Sequence, residues 1–255
     1  MASGPPISVS DMTATRSAGV PDAPWALAGE CLVALVPRRR LPGSVFPPGI
    51  GRLPGPIVVI AIRYTESPVG PFLELAIAEP ARVGLRPGWT VTTSVVSAPP
   101  ARIGGRLGWG FPRELGTLTW SRDGEGSTLR WEDRDIVVRS PEPGGGHWPF
   151  LVPMRSLQRR ADGPVIVPGH GRGRARFGRL AVEAPQDDPL ASLAGDHFGI
   201  TVTGMRTLLR PARRPAGLFS SLRAPLWAAE PAMAAPPTSG SGYSAASPGA
   251  LSSVG

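Results

Sequence analysis

Two short stretches hold the residue types that could do chemistry. In Gly105-Arg106-Leu107-Gly108-Trp109-Gly110-Phe111-Pro112-Arg113-Glu114-Leu115-Gly116, two arginines and a glutamate stand among glycines and the aromatics Trp109 and Phe111. The other stretch is Tyr64-Thr65-Glu66-Ser67, followed by Glu74 inside the apolar run Phe72-Leu73-Glu74-Leu75-Ala76-Ile77. A guanidinium offers a planar fork that holds a carboxylate by two hydrogen bonds. A glutamate shielded from water has a raised pKa and can pass a proton to or from an enol, unless a nearby arginine holds it ionised. A lysine imine is excluded by inventory: all 27 residues counted as Lys+Arg are arginine, and a guanidinium does not supply the unprotonated amine an imine needs.

Each residue also has a structural alternative. Arg113 could pair with Glu114 or Glu66, and Glu66 could accept backbone N–H bonds beside Pro68. The period of two puts Glu74 with Phe72, Ala76 and Ala78, on a face that is either a pocket or solvated. Trp109 and Phe111 could line a pocket or fill a core, and Arg106 could serve packing or an ion pair.

Other chemistries find no support. His147, His170 and His197 are far apart and lack neighbours at metal-ligand spacing, so no metal is expected. Asp196-His197 has no Gly-x-Ser-x-Gly elbow to serve, and Gly169-x-Gly171-x-Gly173 lacks the last glycine and the helix of a dinucleotide site. No cofactor is expected.

The elements that must position these residues are mostly strands. A count of 33 Gly and 32 Pro argues for many turns and few long helices. Ile57 to Ile62 reads as a strand buried on both faces, and Phe72 to Ala78 and Thr90 to Val96 as further strands. Thr117 to Arg122 and Ser127 to Glu132 flank Asp123-Gly124-Glu125-Gly126 as a hairpin, with Ile136 to Arg139 following. Phe198 to Leu209 is a late strand with Gly204 as a bulge or a close contact, and a short helix is expected over Pro189 to Ala194 behind Asp188. Arg172, Arg174 and Arg176 share one face if their segment is a strand, either solvated or contacting a phosphate or a carrier protein. Residues 1–23 read as a disordered arm, 24–226 as one domain and 227–255 as a disordered Ala/Pro/Ser/Gly tail.

The formal charge of +8 goes with an absence of both Lys and Asn, which suggests coding bias rather than nucleic-acid binding. One cysteine, Cys31, makes no internal disulfide, and no apolar run reaches the roughly 18 residues of a membrane span. The expected setting is cytoplasmic, with no membrane partner.

The stretch GRLGWGFPRELG resembles the signature loop of the acetoacetate decarboxylase family, where a Gly-Arg pair precedes an aromatic-Pro-Lys-Lys segment. The resemblance places Arg113 at the Schiff-base lysine and Glu114 at the neighbouring lysine that lowers its pKa. Tyr64-Thr65-Glu66-Ser67 resembles the family's Tyr-x-Glu-Ser segment, whose glutamate points into the active site. Two further family groups, a carboxylate before that segment and an arginine near the N-terminus, have no counterpart: Val58 to Ile62 carries no acid, and Arg38 to Arg40 do not align. Over roughly residues 50–210 the resemblance implies a closed antiparallel β-barrel or cone with few short helices, its active site inside, and association of barrels into a homo-oligomer. Arg113 and Glu66 would be its catalytic groups, with Arg106, Trp109, Phe111, Glu114 and Glu74 contacting the ligand. Two functions follow: a lyase-type enzyme converting a small oxo-acid or related carbonyl compound without an imine, or an inactive relative that keeps the pocket for binding.

Overall fold

The computed structural model describes residues 19–37, 41–124, 126–140 and 146–215. Most of the arm, the tail from residue 227, Arg38 to Arg40 and most of the Pro141 to Gly146 turn lie outside them. The described residues form twelve strands: β1 (Trp25–Val36), β2 (Gly51–Arg52), β3 (Ile57–Glu66), β4 (Phe72–Val83), β5 (Arg86–Val96), β6 (Arg113–Leu115), β7 (Leu118–Asp123), β8 (Gly126–Trp131), β9 (Ile136–Ser140), β10 (Trp148–Arg160), β11 (Gly163–Glu183) and β12 (Gly195–Leu209). An α-helix, α1 (Pro99–Trp109), connects β5 to β6.

The principal strands pair in the order β5-β4-β3-β1-β12-β11-β10, and β10 meets β5 again, so the sheet closes on itself as a ring. Pairing is antiparallel apart from β5 with β6 and the single contact of β10 with β5 at Ser156 and Trp89. The mostly-β, ring-like architecture expected from the sequence is the one observed. Closure removes the exposed edges an open sheet would offer. Strands β9, β8 and β7 continue from β11 as a meander.

Strand alternation gives the ring two buried faces. Leu32, Ala34 and Val36 of β1 pack with Val59, Ala61, Leu75 and Ile77, and with Leu129 and Val138 of the meander. Leu27 and Cys31 point the other way, into a cluster with Tyr64, Phe72, Val96, Val165, Val167, Val202 and the α1 residues Ala101 and Trp109. Side chains from β4, β5, β11 and β12 meet there, so this second face is the interior of the ring.

Several elements differ from the sequence expectation. Residues 105–109 of the central stretch are helical, where a loop was expected. Pro99 and Pro100 at the first helical positions need no N–H partner, and Gly110, at φ 77°, ends the helix with its N–H donated to the Arg106 carbonyl. Glycine masks this helix from a propensity reading, yet Gly104 and Gly105 are where Trp25 and Arg113 press closest. The short helix expected at Pro189 to Ala194 is a 3-10 turn over Ala191–Leu193, with Asp188 accepting from the Leu190 N–H at 2.7 Å. Strand β10, with no turn chemistry or clear alternation to mark it, had no sequence expectation. Gly204 does lie in a bulge: Arg172 faces Arg206, whereas Arg174 faces Thr203.

Candidate functional site

Strand β6 is three residues long and parallel to β5, with Arg113 opposite Ser94. Its course turns the Arg113 side chain into the ring interior, where the residue is 2% exposed. Glu74 reaches the same point from β4 and is itself buried. Arg113 donates from Nε to Glu74 Oε1 at 3.2 Å and from Nη2 to Glu74 Oε2 at 2.7 Å. Its Nη1 donates to the Ala101 carbonyl of α1 at 3.0 Å, and the Ser94 hydroxyl donates to Glu74 Oε1 at 2.8 Å. The rings of Phe111 and Phe72 lie 5.5 and 5.6 Å from the guanidinium carbon.

This is a two-pronged, buried ion pair with every nitrogen of the guanidinium engaged. Burying two charges is costly, and the fork geometry and the added bonds to Ser94 and Ala101 offset that cost. Gly105 makes room: a Cβ there would stand 2.4 Å from Arg113 Cδ and 2.7 Å from Nη1. The Gly105 of the Gly-Arg pair is thus a clearance for the arginine that follows it in the fold.

The electrostatics of the interior follow from dryness. Burial first, and then the Glu74 charge, push the Tyr64 phenol well above its ordinary range, so it stays neutral. Tyr64 stacks on Phe72 with ring centroids 4.4 Å apart. Burial, helped by Glu30, pushes the Cys31 thiol up to about 12, which makes it an inert core group rather than a nucleophile.

Glu66 is elsewhere. Gly29 of β1 stands opposite Tyr64 while Ala28 stands opposite Glu66, so Thr65 is an extra residue in β3. Consecutive β1 residues point to opposite faces, and therefore Tyr64 and Glu66 do as well. Tyr64 turns inward beside Phe72; Glu66 is exposed and lines a cleft of about 520 Å³ on the outer face, with His170, Arg172 and Arg206. Among the residues expected at the site, the fold brings Arg113, Glu74 and Phe111 together and sets Glu66 apart from them.

Three others take structural positions. Glu114 is exposed between Arg106, at 2.9 Å, and Arg102, at 3.4 Å, and points away from the Arg113 side chain. Arg106 also reaches the Arg113 carbonyl at 3.4 Å. Trp109 is fully buried, edge-on to Trp25 at 5.0 Å, with its indole N–H donated to the Arg210 carbonyl at 2.8 Å.

Residues 22–138 match the family model for acetoacetate decarboxylase. Over these residues the chain is similar to that family. The fold agrees with solved structures at low identity. Acetoacetate decarboxylase from Legionella pneumophila superposes with a TM-score of 0.55 at 18% identity, covering 79% of this chain and 91% of that one. The enduracididine biosynthesis enzyme MppR complexed with pyruvate gives 0.57 at 15%, covering 76% and 90%. An acetoacetate decarboxylase-like enzyme from Sphingomonas wittichii RW1 gives 0.53 at 16%, covering 77% and 94%. No curated protein matches the sequence.

At this buried site, the groups that sequence reasoning did not single out are Ser94, Tyr64 and the Ala101 carbonyl. A serine in an alternating strand carries no signal of its own, and a backbone acceptor carries none at all. Two other buried acids were equally silent. Glu79 is 1% exposed and pairs with Arg52; Glu30 joins Arg63 and Arg122. A glutamate inside an apolar run was the available clue for Glu79, the same clue that drew attention to Glu74. Among the described residues no helix is long and apolar enough to cross a membrane.

Proposed function

We propose that this protein is a member of the acetoacetate decarboxylase family that binds a small oxo-acid or related carbonyl compound by charge and hydrogen bonds, without forming an imine and without turning acetoacetate over. The observation that carries this reading is Arg113, at the position matching the Schiff-base lysine, locked to Glu74 and Ala101 in a buried site. With no lysine in the chain, there is no side-chain amine to form the adduct.

The ligand's place in this reading is the interior beside Arg113, where Phe72, Trp109 and Phe111 form an apolar wall. A ligand carboxylate would compete with Glu74 for the guanidinium fork, which suits an oxo-acid better than a neutral ketone. The pyruvate bound by the structural relative MppR is a ligand of this class. A catalytic role for Arg113 and Glu66 together would need both on one substrate, and the Thr65 bulge turns Glu66 to the opposite face; binding is therefore favoured over conversion.

The test is a proton NMR time course of the full chain with acetoacetate, pyruvate and a small panel of other oxo-acids. The expected result is broadening of ligand signals with no conversion. Consumption of acetoacetate by the wild type would overturn the absence of turnover, and unbroadened signals throughout would overturn the binding. Arg113→Lys sharpens the point: borohydride trapping of that variant with a β-keto acid would locate the amine in a ligand-accessible interior.

A further inference from the structure

The outer cleft that holds Glu66 has a layout the interior pair does not explain. Across the sheet, Glu66 of β3 stands beside Ala28 of β1, Ala28 beside Arg206 of β12, and Arg206 beside Arg172 of β11. The next row reads Ala26, Leu208 and His170 on the same face. Two alanines thus form a low floor, with a carboxylate on one wall and two guanidiniums and an imidazole on the other.

Arg206 and Arg172 are direct cross-strand partners. Side chains at such positions leave the sheet on one face from Cα atoms about 5 Å apart, and like charges placed so are destabilising. Elsewhere in this molecule buried or half-buried arginines are answered: Arg52 by Glu79, Arg113 by Glu74, Arg134 by Asp188. Among the described residues, neither Arg172 nor Arg206 has an ion pair or a side-chain hydrogen bond. The nearest acid on the face, Glu66, is two strands from Arg206, roughly 10 Å at ordinary strand spacing, and makes no ion pair with it. A cleft of about 520 Å³ is of the size that takes a small molecule.

We propose that this cleft is an anion site, distinct from the interior, in which Arg172 and Arg206 together hold one carboxylate or phosphate group of a small molecule. Two guanidiniums converging on one anion turn their mutual repulsion into paired, charge-assisted hydrogen bonds. His170 adds a third donor beside them. Glu66, across the alanine floor, faces the far end of the ligand and favours a hydroxyl or ammonium there while repelling a second anionic group. The proposal stands independently of the interior reading, because no residue of the Arg113–Glu74 pair lines this cleft.

The test is calorimetric titration of the full chain with inorganic phosphate and, separately, with pyruvate, which distinguish the two sources of the anion. One saturable site per chain is expected for at least one probe, weakened tenfold or more in Arg206→Gln and in Arg172→Gln. Arg86→Gln removes the same charge from an exposed position elsewhere and is expected to leave the affinity unchanged. Glu66→Gln is expected to tighten phosphate a few-fold. All three arginine variants should unfold at the wild-type temperature or slightly above, since none loses a partner. Absence of saturable binding of both probes overturns the proposal, as does equal weakening in Arg86→Gln. Pyruvate binding that survives Arg206→Gln overturns the cleft as its site while leaving the interior reading untouched.

Discussion

The inner and outer faces of the ring treat charge in opposite ways. Inside the ring, Arg113 and Glu74 are buried and satisfy one another, with Ser94 and Ala101 completing the set. Outside, Arg172, Arg206 and Glu66 are exposed, close in register and left without ion pairs among themselves. A charge taken out of water must be answered by the protein itself, because the alternative costs several kcal/mol; a charge left in water need not be. At Arg113 the charge is therefore answered before any ligand arrives, and the unanswered charges lie on the outer face, on β3, β11 and β12.

That contrast can be broken most severely at Glu74. Glu74→Ala leaves Arg113 buried without its counter-charge, and a loss of about 3–5 kcal/mol in unfolding free energy is expected from urea denaturation. The double variant Glu74→Leu/Arg113→Met, which replaces both charges by apolar groups, is expected to recover most of that loss. If the double variant is as unstable as the single one, the pair is not the source of the cost.

A smaller effect is expected at Gly105, where an added Cβ would collide with the Arg113 side chain. Gly105→Ala should lose about 1–3 kcal/mol, and most of that loss should vanish when Arg113 is already alanine. A double-mutant cycle by urea unfolding measures the coupling. Additive costs would mean that Gly105 is required for a reason other than clearance.

The smallest effect concerns the dryness of the interior. Cys31 and Tyr64 are acids whose folded pKa values are raised, so the fold holds their protons more tightly than the unfolded chain does. The thiol's contribution is fully present below pH 9.0, its ordinary value, and is lost as pH rises toward about 12, while the phenol's is lost in the same direction above its ordinary 10.0. At pH 10 the thiol's part is on the order of 1 kcal/mol. Denaturation series at pH 8 and pH 10 should show a smaller drop for Cys31→Ala than for the wild type; equal drops would mean that the thiol is not shielded.

Much of the fold was legible in the sequence because it rests on local patterns. The β-branched run of Ile57 to Ile62, the hairpin around Asp123-Gly124 and the bulge at Gly204 are all written in short-range chemistry. Helix α1 was not, because glycines chosen for close packing weaken the helical signal. The site was half legible. Arg113 stood out, and Glu74 stood out as a charge in an apolar strand, but nothing local joined them: they are 39 residues apart.

The sequence by itself determined what this protein cannot do, since a chain of arginines without a lysine forms no lysine imine wherever its residues fall. It also supplied the resemblance and the kinds of side chain available. Only the tertiary structure decided which carboxylate answers Arg113. Glu114, adjacent in sequence, points to solvent; Glu66, at the position the resemblance favoured, is turned outward by one extra residue in β3; Glu74, from the neighbouring strand, meets the guanidinium. The physical reason is the period of two. In a strand a single inserted residue reverses the face of everything beyond it, and only the register of the paired strands records where that reversal occurs.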